Sequence, residues 1–433
     1  MKTKMPTTHV ERKIIYSKEL HQLDIRLIDK DALYVLEKLT AAGHIAYLVG
    51  GGVRDLLLKR KPKDYDISTS AEPEVIRKLF RNCILIGRRF RLAHVRFGRK
   101  IIEVSTFRSG DNDDDALIIR DNQWGSPEED VLRRDFTING LFYDAAEETI
   151  IDYVHGFEDI SKRHLRTIGQ PFVRFKQDPV RMLRLIKFQA RFDFSVDEHA
   201  HTALIESRQE IMKSSSTRVL EEILRMLESG AAKPFFHLLI EYGFLQLILP
   251  ALASFMESKS GEDIYAFLQI LDQTVLEGQV LDRAIPLSCL IYPLFHKRII
   301  TLFTGRDKPP HGGELLDEAF SLFDESFDSF FRIPKRIKMS VVTILAWQFR
   351  LSPFDKKRPR FRTPDPLALH FFQLRTLLDP SLGKLYKDWE KAAIPPSGES
   401  QKTPDSSPKK KKRRRRSGPR GNKDSSAPSS SDE

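Results

Sequence analysis

The sequence predicts an α+β protein with a small mixed-sheet domain, an all-helical region and a basic tail without a core. Three observations carry this. Strand-like runs are mixed with helical spacings between about residues 31 and 170. From Asp178 onward strand signals fade and long helical patterns dominate. After about Ala393 the composition turns to Pro, Ser, Gly and charge, with KKKKRRRR at Lys409–Arg416. Such a stretch cannot bury apolar surface and is expected to be disordered. The expected divisions are an extension at 1–30, a sheet domain at 31–170, a first helical segment at 171–250, a helical body at 251–393 and a tail at 394–433.

The elements follow in order. Residues 1–29 are basic and show no clear periodicity. Leu33, Leu36 and Leu39 give helical spacing over Asp31–Ala42, with Gly43 as a stop. His44–Val49 reads as a strand, Val53–Lys59 as a helix and Asp64–Ser68 as a second strand. Thr69 or Ser70 is expected to cap a helix over Glu72–Phe80. Cys83–Ile86, Arg91–Phe97 and Lys100–Thr106 are further strands, the last two turning at Gly98-Arg99. Arg108–Gly125 reads as a loop in which Asp111, Asp113, Asp114 and Asp115 are solvated. Order resumes over Glu128–Phe142, and short strands at Ile150–Tyr153 and Leu165–Ile168 close the domain. Helical patterns then cover Thr217–Leu227, Pro234–Tyr242, Ile264–Leu276, Leu315–Phe331 and Lys338–Phe349.

With 433 residues, 40% of them hydrophobic, the chain has length for two or three domains with real cores. The net charge is +11, of which Pro396–Glu433 supplies +6 from 11 basic and 5 acidic residues. The folded part is therefore mildly basic, and the tail is a strong local attractor for phosphate. Cys83 and Cys289 lie in apolar surroundings, as buried free thiols of a reducing compartment do, and no Cys/His spacing suggests zinc. The longest apolar stretch, Ala284–Phe295, is short and broken by Pro286 and Pro293, so no membrane span is expected. No signal-peptide run opens the sequence, and a soluble cytoplasmic protein is the expectation.

The chemistry concentrates in Tyr47–Ser68, YLVGGGVRDLLLKRKPKDYDIS. Gly50, Gly51 and Gly52 stand between a strand and a helix, where backbone can approach a phosphate. Arg54 follows one turn later, with a side chain suited to bidentate phosphate contact. Asp64 and Asp66 are two apart, so on a strand they share a face, and their mutual repulsion is relieved by a divalent cation. Hard oxygen ligands beside a phosphate favour Mg2+. The combination points to a nucleoside triphosphate bound through Mg2+ and to attack of a 3′-hydroxyl on its α-phosphate. A third carboxylate would assist, and two candidates exist: Glu103 in IIEVST and Asp135 in RRDFTING, beside Arg133 and Arg134. Asp178, Arg181 and Arg184 form one helical stripe able to hydrogen-bond a base edge, and Asp178-Pro179 also reads as a helix start.

GGGVRDLL, KDYDIS, RRDFTING and DPVRMLR, in this order, resemble the motifs of the class II nucleotidyltransferases, the family of bacterial poly(A) polymerases and tRNA CCA-adding enzymes. The resemblance is strong over about Ile45–Phe194. It implies a five-stranded nucleotidyltransferase head, a helical neck carrying the base-recognition motif, and a helical body that binds RNA. It implies metal ligation by Asp64 and Asp66, with Asp135 as third catalytic aspartate or as a contact to the nucleotide's sugar. It also implies triphosphate contacts from Gly51 and Arg54, and base reading by Asp178, Arg181 and Arg184. The family usually has Glu where this chain has Gln177, which cannot hold an arginine by charge. Leu85–Val95, LIGRRFRLAHV, is similar to a stretch of the poly(A) polymerases, and it places Arg88, Arg89 and Arg91 on one basic turn. The expected activity is addition of AMP from ATP to RNA 3′ ends. A CCA-adding enzyme and a non-catalytic RNA-binding protein on the same scaffold are the alternatives.

Overall fold

The computed structural model describes residues 13–87, 92–109, 124–306, 308–353 and 363–393. One mixed eight-stranded sheet dominates the first part, in the order β1-β8-β7-β2-β3-β6-β5-β4. Its strands are β1 (Ile14–Tyr16), β2 (Ala46–Val49), β3 (Asp66–Thr69), β4 (Cys83–Ile86), β5 (Leu92–Phe97), β6 (Lys100–Thr106), β7 (Leu141–Asp144) and β8 (Thr149–Asp152). Only the β3–β6 pairing is parallel. Helices α1 (Lys18–His21), α2 (Lys30–Ala41), α3 (Gly51–Leu57), α4 (Pro73–Leu79) and α5 (Pro127–Leu132) lie between them, and α6 (Gly156–Lys162) follows β8.

The sheet exceeds the five strands that the family resemblance implies. The basic segment without periodicity contains β1, which pairs along β8 at one edge. Three residues are too few to display a period of two, so this strand exists through its neighbour. Residue 64 precedes β3, and the strand begins at Asp66. Neither Thr69 nor Ser70 caps α4; the Thr69 hydroxyl donates to the Ile45 carbonyl, and Ser70 accepts from the Ile45 N–H. Their hydroxyls bind β2's entrance instead, and Pro73 opens α4 with its fixed φ.

Alternation divides the central strands into two faces. Leu48, Ile67, Val104, Ile102, Ala93 and Val95 are buried in the main core with Val35, Leu36 and Leu39 of α2. The other face carries Asp66 and Ser68 of β3, Glu103 and Ser105 of β6, and His94 of β5, in register. Over β2, β7 and β8 that second face is covered by Phe107, Val131 and Ile168.

The helical part comprises α7 (Pro171–Gln177), α8 (Val180–Phe192), α9 (Glu198–Ser207), α10 (Ser216–Leu227), α11 (Ala232–Glu241), α12 (Leu245–Ile248), α13 (Pro250–Met256), α14 (Glu262–Leu276), α15 (Ala284–Phe303), α16 (Gly312–Phe327), α17 (Lys335–Leu351), α18 (Pro366–Leu378) and α19 (Gly383–Ala393). A small parallel pair, β9 (His164–Leu165) with β10 (Ser195–Val196), bridges the ends of α6 and α8. Ala284–Phe295 is not broken by its prolines: it is the fully buried first part of α15. Pro286 lies in the first turn, where its missing N–H has no intrahelical partner to lose. Among the described residues no helix is long and apolar enough to cross a membrane. Cys289 is buried in α15, Cys83 is half-buried, and both thiols are free. The main core runs without interruption from the sheet into the helices, where Phe136 meets Phe188 of α8 edge to face at 5.6 Å.

Candidate active site

Three carboxylates gather on the open sheet face. Glu103 is the direct cross-strand partner of Asp66 in the parallel β3–β6 register, and Asp64 stands just before β3. Burial, then Glu103, then Asp64 push the Asp66 carboxyl up to about 6, while the Arg134 guanidinium pulls the other way. Crowded carboxylates of this kind are short of positive charge. The sequence left the third carboxylate open between Glu103 and Asp135; the register puts Glu103 next to Asp66.

Asp135 occupies a different niche. It is buried, its Oδ1 accepts from Asn139 Nδ2 at 3.0 Å and from the Phe136 N–H at 2.9 Å, and Oδ2 lies 2.9 Å from Arg184 Nη1. Burial alone would raise its pKa; Arg184, Asn139, Arg181 and the Phe136 N–H outweigh that and hold it below the usual carboxylate range.

The glycine turn fits its sequence. Gly50 has φ +63° and ψ −130°, a conformation open to glycine almost alone, and a Cβ there would stand 3.1 Å from Arg134 Nη1. Arg134 also reaches Ser68 Oγ at 3.4 Å and pairs with buried Asp130 at 2.8 Å. Arg54, expected to contact the triphosphate, is enclosed by partners of its own. It is 5% exposed, donates to Asp55 Oδ1 at 2.7 and 2.9 Å and to Asn139 Oδ1 at 2.6 Å, and packs against the rings of Phe188 and Phe192. Its guanidinium lies behind Gly51, 3.4 Å from where a Cβ would be. The cation beside the carboxylates and the turn is thus Arg134. RRDFTING also supplies Asn139, which links Arg54 to Asp135 and which residue-type reasoning passed over.

The stripe on α8 is assembled but divided in its contacts. Asp178 ends α7 without capping α8 through its side chain; Oδ2 accepts from Arg218 of α10 at 2.8 Å. Arg181 is buried and donates to the carbonyls of Arg174 and Arg133 at 3.3 and 3.2 Å. Arg184 pairs with Asp135 and lies 3.8 Å from Glu222 of α10. Gln177 accepts from Arg174 Nη1 at 3.2 Å, so a neutral side chain serves where the family resemblance implies a charged one. Asp135 Oδ2, Asp178 Oδ1 and Arg184 Nε are buried polar atoms with no hydrogen-bond partner. The 2.9 Å approach of Oδ2 to Arg184 is therefore electrostatic, without hydrogen-bond alignment. Orphaned donors and acceptors in one niche are what a polar ligand would satisfy. Arg88, Arg89, Arg91, the four loop aspartates and the basic tail lie outside the described residues.

A divalent cation fits the donor set: hard oxygens, one of them held protonatable by its neighbours. Among the described residues no group of three or more His, Cys, Asp or Glu side chains is placed to hold a metal ion by itself. Mg2+ suits such an open set, since one or two carboxylates and substrate phosphates complete its shell.

A mixed sheet carrying clustered carboxylates beside a glycine turn, joined to a helical array, defines a nucleotidyltransferase. Residues 46–166 match the poly A polymerase head domain, and residues 193–256 match a "Probable RNA and SrmB- binding site of polymerase A". Poly(A) polymerase I of Escherichia coli O6:H1 is 36% identical over 384 residues, 82% of this chain and 81% of that protein. A CCA-adding enzyme of Bacillus velezensis is 33% identical over 225 residues, 52% of this chain and 56% of that protein. Among solved structures, a tRNA nucleotidyltransferase complexed with a primer tRNA and an incoming ATP analog aligns with TM-score 0.55 at 22% identity, over 82% of this chain and 97% of that one. The chain belongs to the poly(A) polymerase family and is a polynucleotide adenylyltransferase.

Proposed function

We propose that this enzyme adds AMP from ATP to RNA 3′ ends, and that such tailing marks bacterial RNA for decay. The observation that carries the chemistry is the cluster of Asp64, Asp66 and Glu103, with Asp66 pushed up to about 6. In this reading Asp64 and Asp66 would hold Mg2+, with Glu103 beside Asp66 as the third carboxylate. A cation held there would lower the pKa of the attacking hydroxyl and neutralise the leaving phosphates. The residues of the chain position the rest. The RNA 3′-oxygen bonds to the α-phosphorus, the bond to the β-phosphate breaks, pyrophosphate departs and the hydroxyl proton passes to solvent.

The Gly50–Gly52 turn receives the triphosphate through the backbone of Gly51, with Arg134 in front. Arg54 acts from behind: paired to Asp55 and Asn139, it keeps the turn and α8 in one geometry. Asp178, Arg181 and Arg184 take the adenine edge. Asp135 serves by holding Arg184 toward the nucleotide, which gives this catalytic candidate a positioning role between base and sugar. The helical body at 251–393 and the tail at 394–433 bind RNA, the tail through sequence-independent phosphate attraction. The cytoplasm is the compartment in which these substrates meet.

CCA addition is the second reading, supported by the similarity of about half of the chain to a CCA-adding enzyme. One assay separates the two. The purified protein receives ATP or CTP with a generic RNA or with a tRNA lacking its end. Long A tails on generic RNA support tailing; CTP incorporation that stops after a few residues on tRNA overturns it.

A further inference from the structure

The open face of the sheet holds a row of polar side chains across three strands. His94 of β5 is the cross-strand partner of Glu103 of β6, which is the partner of Asp66 of β3. The His94 Nε2 is 3.4 Å from Glu103 Oε1. The His94 side chain is only 18% exposed, whereas that of Glu103 is 47% exposed. On its far side His94 faces Ile84 of β4, an apolar partner.

These facts create a problem for Glu103 that His94 answers. A half-exposed glutamate on a strand has free rotation about its outer bonds, so its carboxylate samples several positions. Directly opposite stands another carboxylate, whose charge repels it away from Asp66. A partner on the other side that holds one oxygen restricts the rotation and offsets the repulsion, and this is how outer partners orient metal-ligating carboxylates. His94 is placed for it: the register fixes its Cβ, Ile84 closes one side, and Nε2 points at Oε1.

We propose that His94 is a positioning residue that orients the Glu103 carboxylate toward Asp66. The proposal rests on the reading of Asp66 and Glu103 as catalytic carboxylates. It gives a role to a residue inside LIGRRFRLAHV that nucleotide, metal and base contacts leave unused.

The test uses the full chain with His94→Leu, His94→Gln, Glu103→Gln and the double variant His94→Leu/Glu103→Gln. Glutamine keeps an N–H near the position of Nε2; leucine does not. Single-turnover AMP transfer, the KM values for ATP and RNA, and the Mg2+ concentration giving half-maximal thermal stabilisation are measured. For His94→Leu the proposal expects kcat to fall roughly 10- to 100-fold, with both KM values within about twofold, and Mg2+ stabilisation to require more metal. His94→Gln should recover most of both losses. In the Glu103→Gln background, His94→Leu should cost nothing further, because the two act as one unit.

Inactive Glu103→Gln beside near-normal His94→Leu overturns the proposal and leaves the carboxylate reading intact. Near-normal Glu103→Gln removes that reading and the proposal with it. A folded His94→Gln no better than His94→Leu, or losses that multiply in the double variant, also overturns it. So does a raised KM for RNA at unchanged kcat, which would make His94 an RNA contact.

Discussion

Oδ2 of Asp135 stands 2.9 Å from Nη1 of Arg184, tying the segment that enters β7 to α8. Asp135 is almost fully buried, whereas the Arg184 side chain is 37% exposed, so solvent screens the pair from one side only. Removing one partner leaves the other charge partly desolvated and alone.

Asp135→Ala should therefore destabilise the protein by about 1–3 kcal/mol, less than the loss of a fully buried pair. The double variant with Arg184→Leu should lose less than the sum of the singles. Thermal unfolding of all three variants checks both statements. Arg184→Leu should also lower the preference for ATP over CTP, read by competing incorporation; an unchanged ratio would detach Arg184 from base choice.

Asp66→Asn and Glu103→Gln should each lower AMP transfer about a thousandfold or more, the loss expected when charge stabilisation in the transition state is removed. Far-ultraviolet circular dichroism should stay at wild type, because both side chains sit on the open face rather than in the core.

With metal removed by a chelator, the contribution of Asp66 to stability should fall as pH rises. Burial and the neighbouring Glu103 and Asp64 push the Asp66 carboxyl up to about 6 in the folded chain, against an ordinary 3.8. Between these values the folded state keeps a proton that the unfolded state releases, so stability drops across the window and levels off above about 6. The drop is at most about 3 kcal/mol. Mg2+ at pH 7.5 should restore it, and between pH 4 and 7.5 the wild type should lose stability relative to Asp66→Asn by that amount, measured by melting both proteins at the two pH values.

Gly50→Ala places a side chain at φ +63° and 3.1 Å from Arg134 Nη1. Backbone strain of about 1–3 kcal/mol and a displaced Arg134 should follow. KM for ATP should rise more than KM for RNA, as steady-state assays with each substrate varied in turn would show.

Removing residues 394–433 takes away a segment whose last 38 residues carry a net +6. RNA affinity should weaken and the slope of log affinity against log salt should flatten. An unchanged slope would end the role given to the tail.

Composition and order of motifs carried the sequence a long way. Periodicity placed the helix at Lys30–Ala41 to within a residue, because Leu36 and Leu39 face one core and Gly43 can take φ +85°. Five helices from Ser216 onward were legible for the same reason, whereas α15 read as a stretch broken by its prolines and α18 went unread. β1 and β9 were not, or only in part, since strands of two or three residues hold no period and exist through their neighbours.

The residues of the site were legible as types: acids two apart, a glycine turn, an Asp-Arg-Arg stripe. Tertiary structure decided their partners. Asp66 and Glu103 are 37 residues apart, and only the parallel pairing of β3 with β6 makes them neighbours. Arg54 reads as a phosphate grip in sequence, yet Asp55, Asn139 and two α8 phenylalanines enclose it. Asp135 reads as a third catalytic acid or a sugar contact, and α8 brings Arg184 against it. Local sequence determines which face a side chain occupies, because helix and strand periods are local. What stands opposite that face depends on strand order and helix docking, which are set by burial across the whole domain.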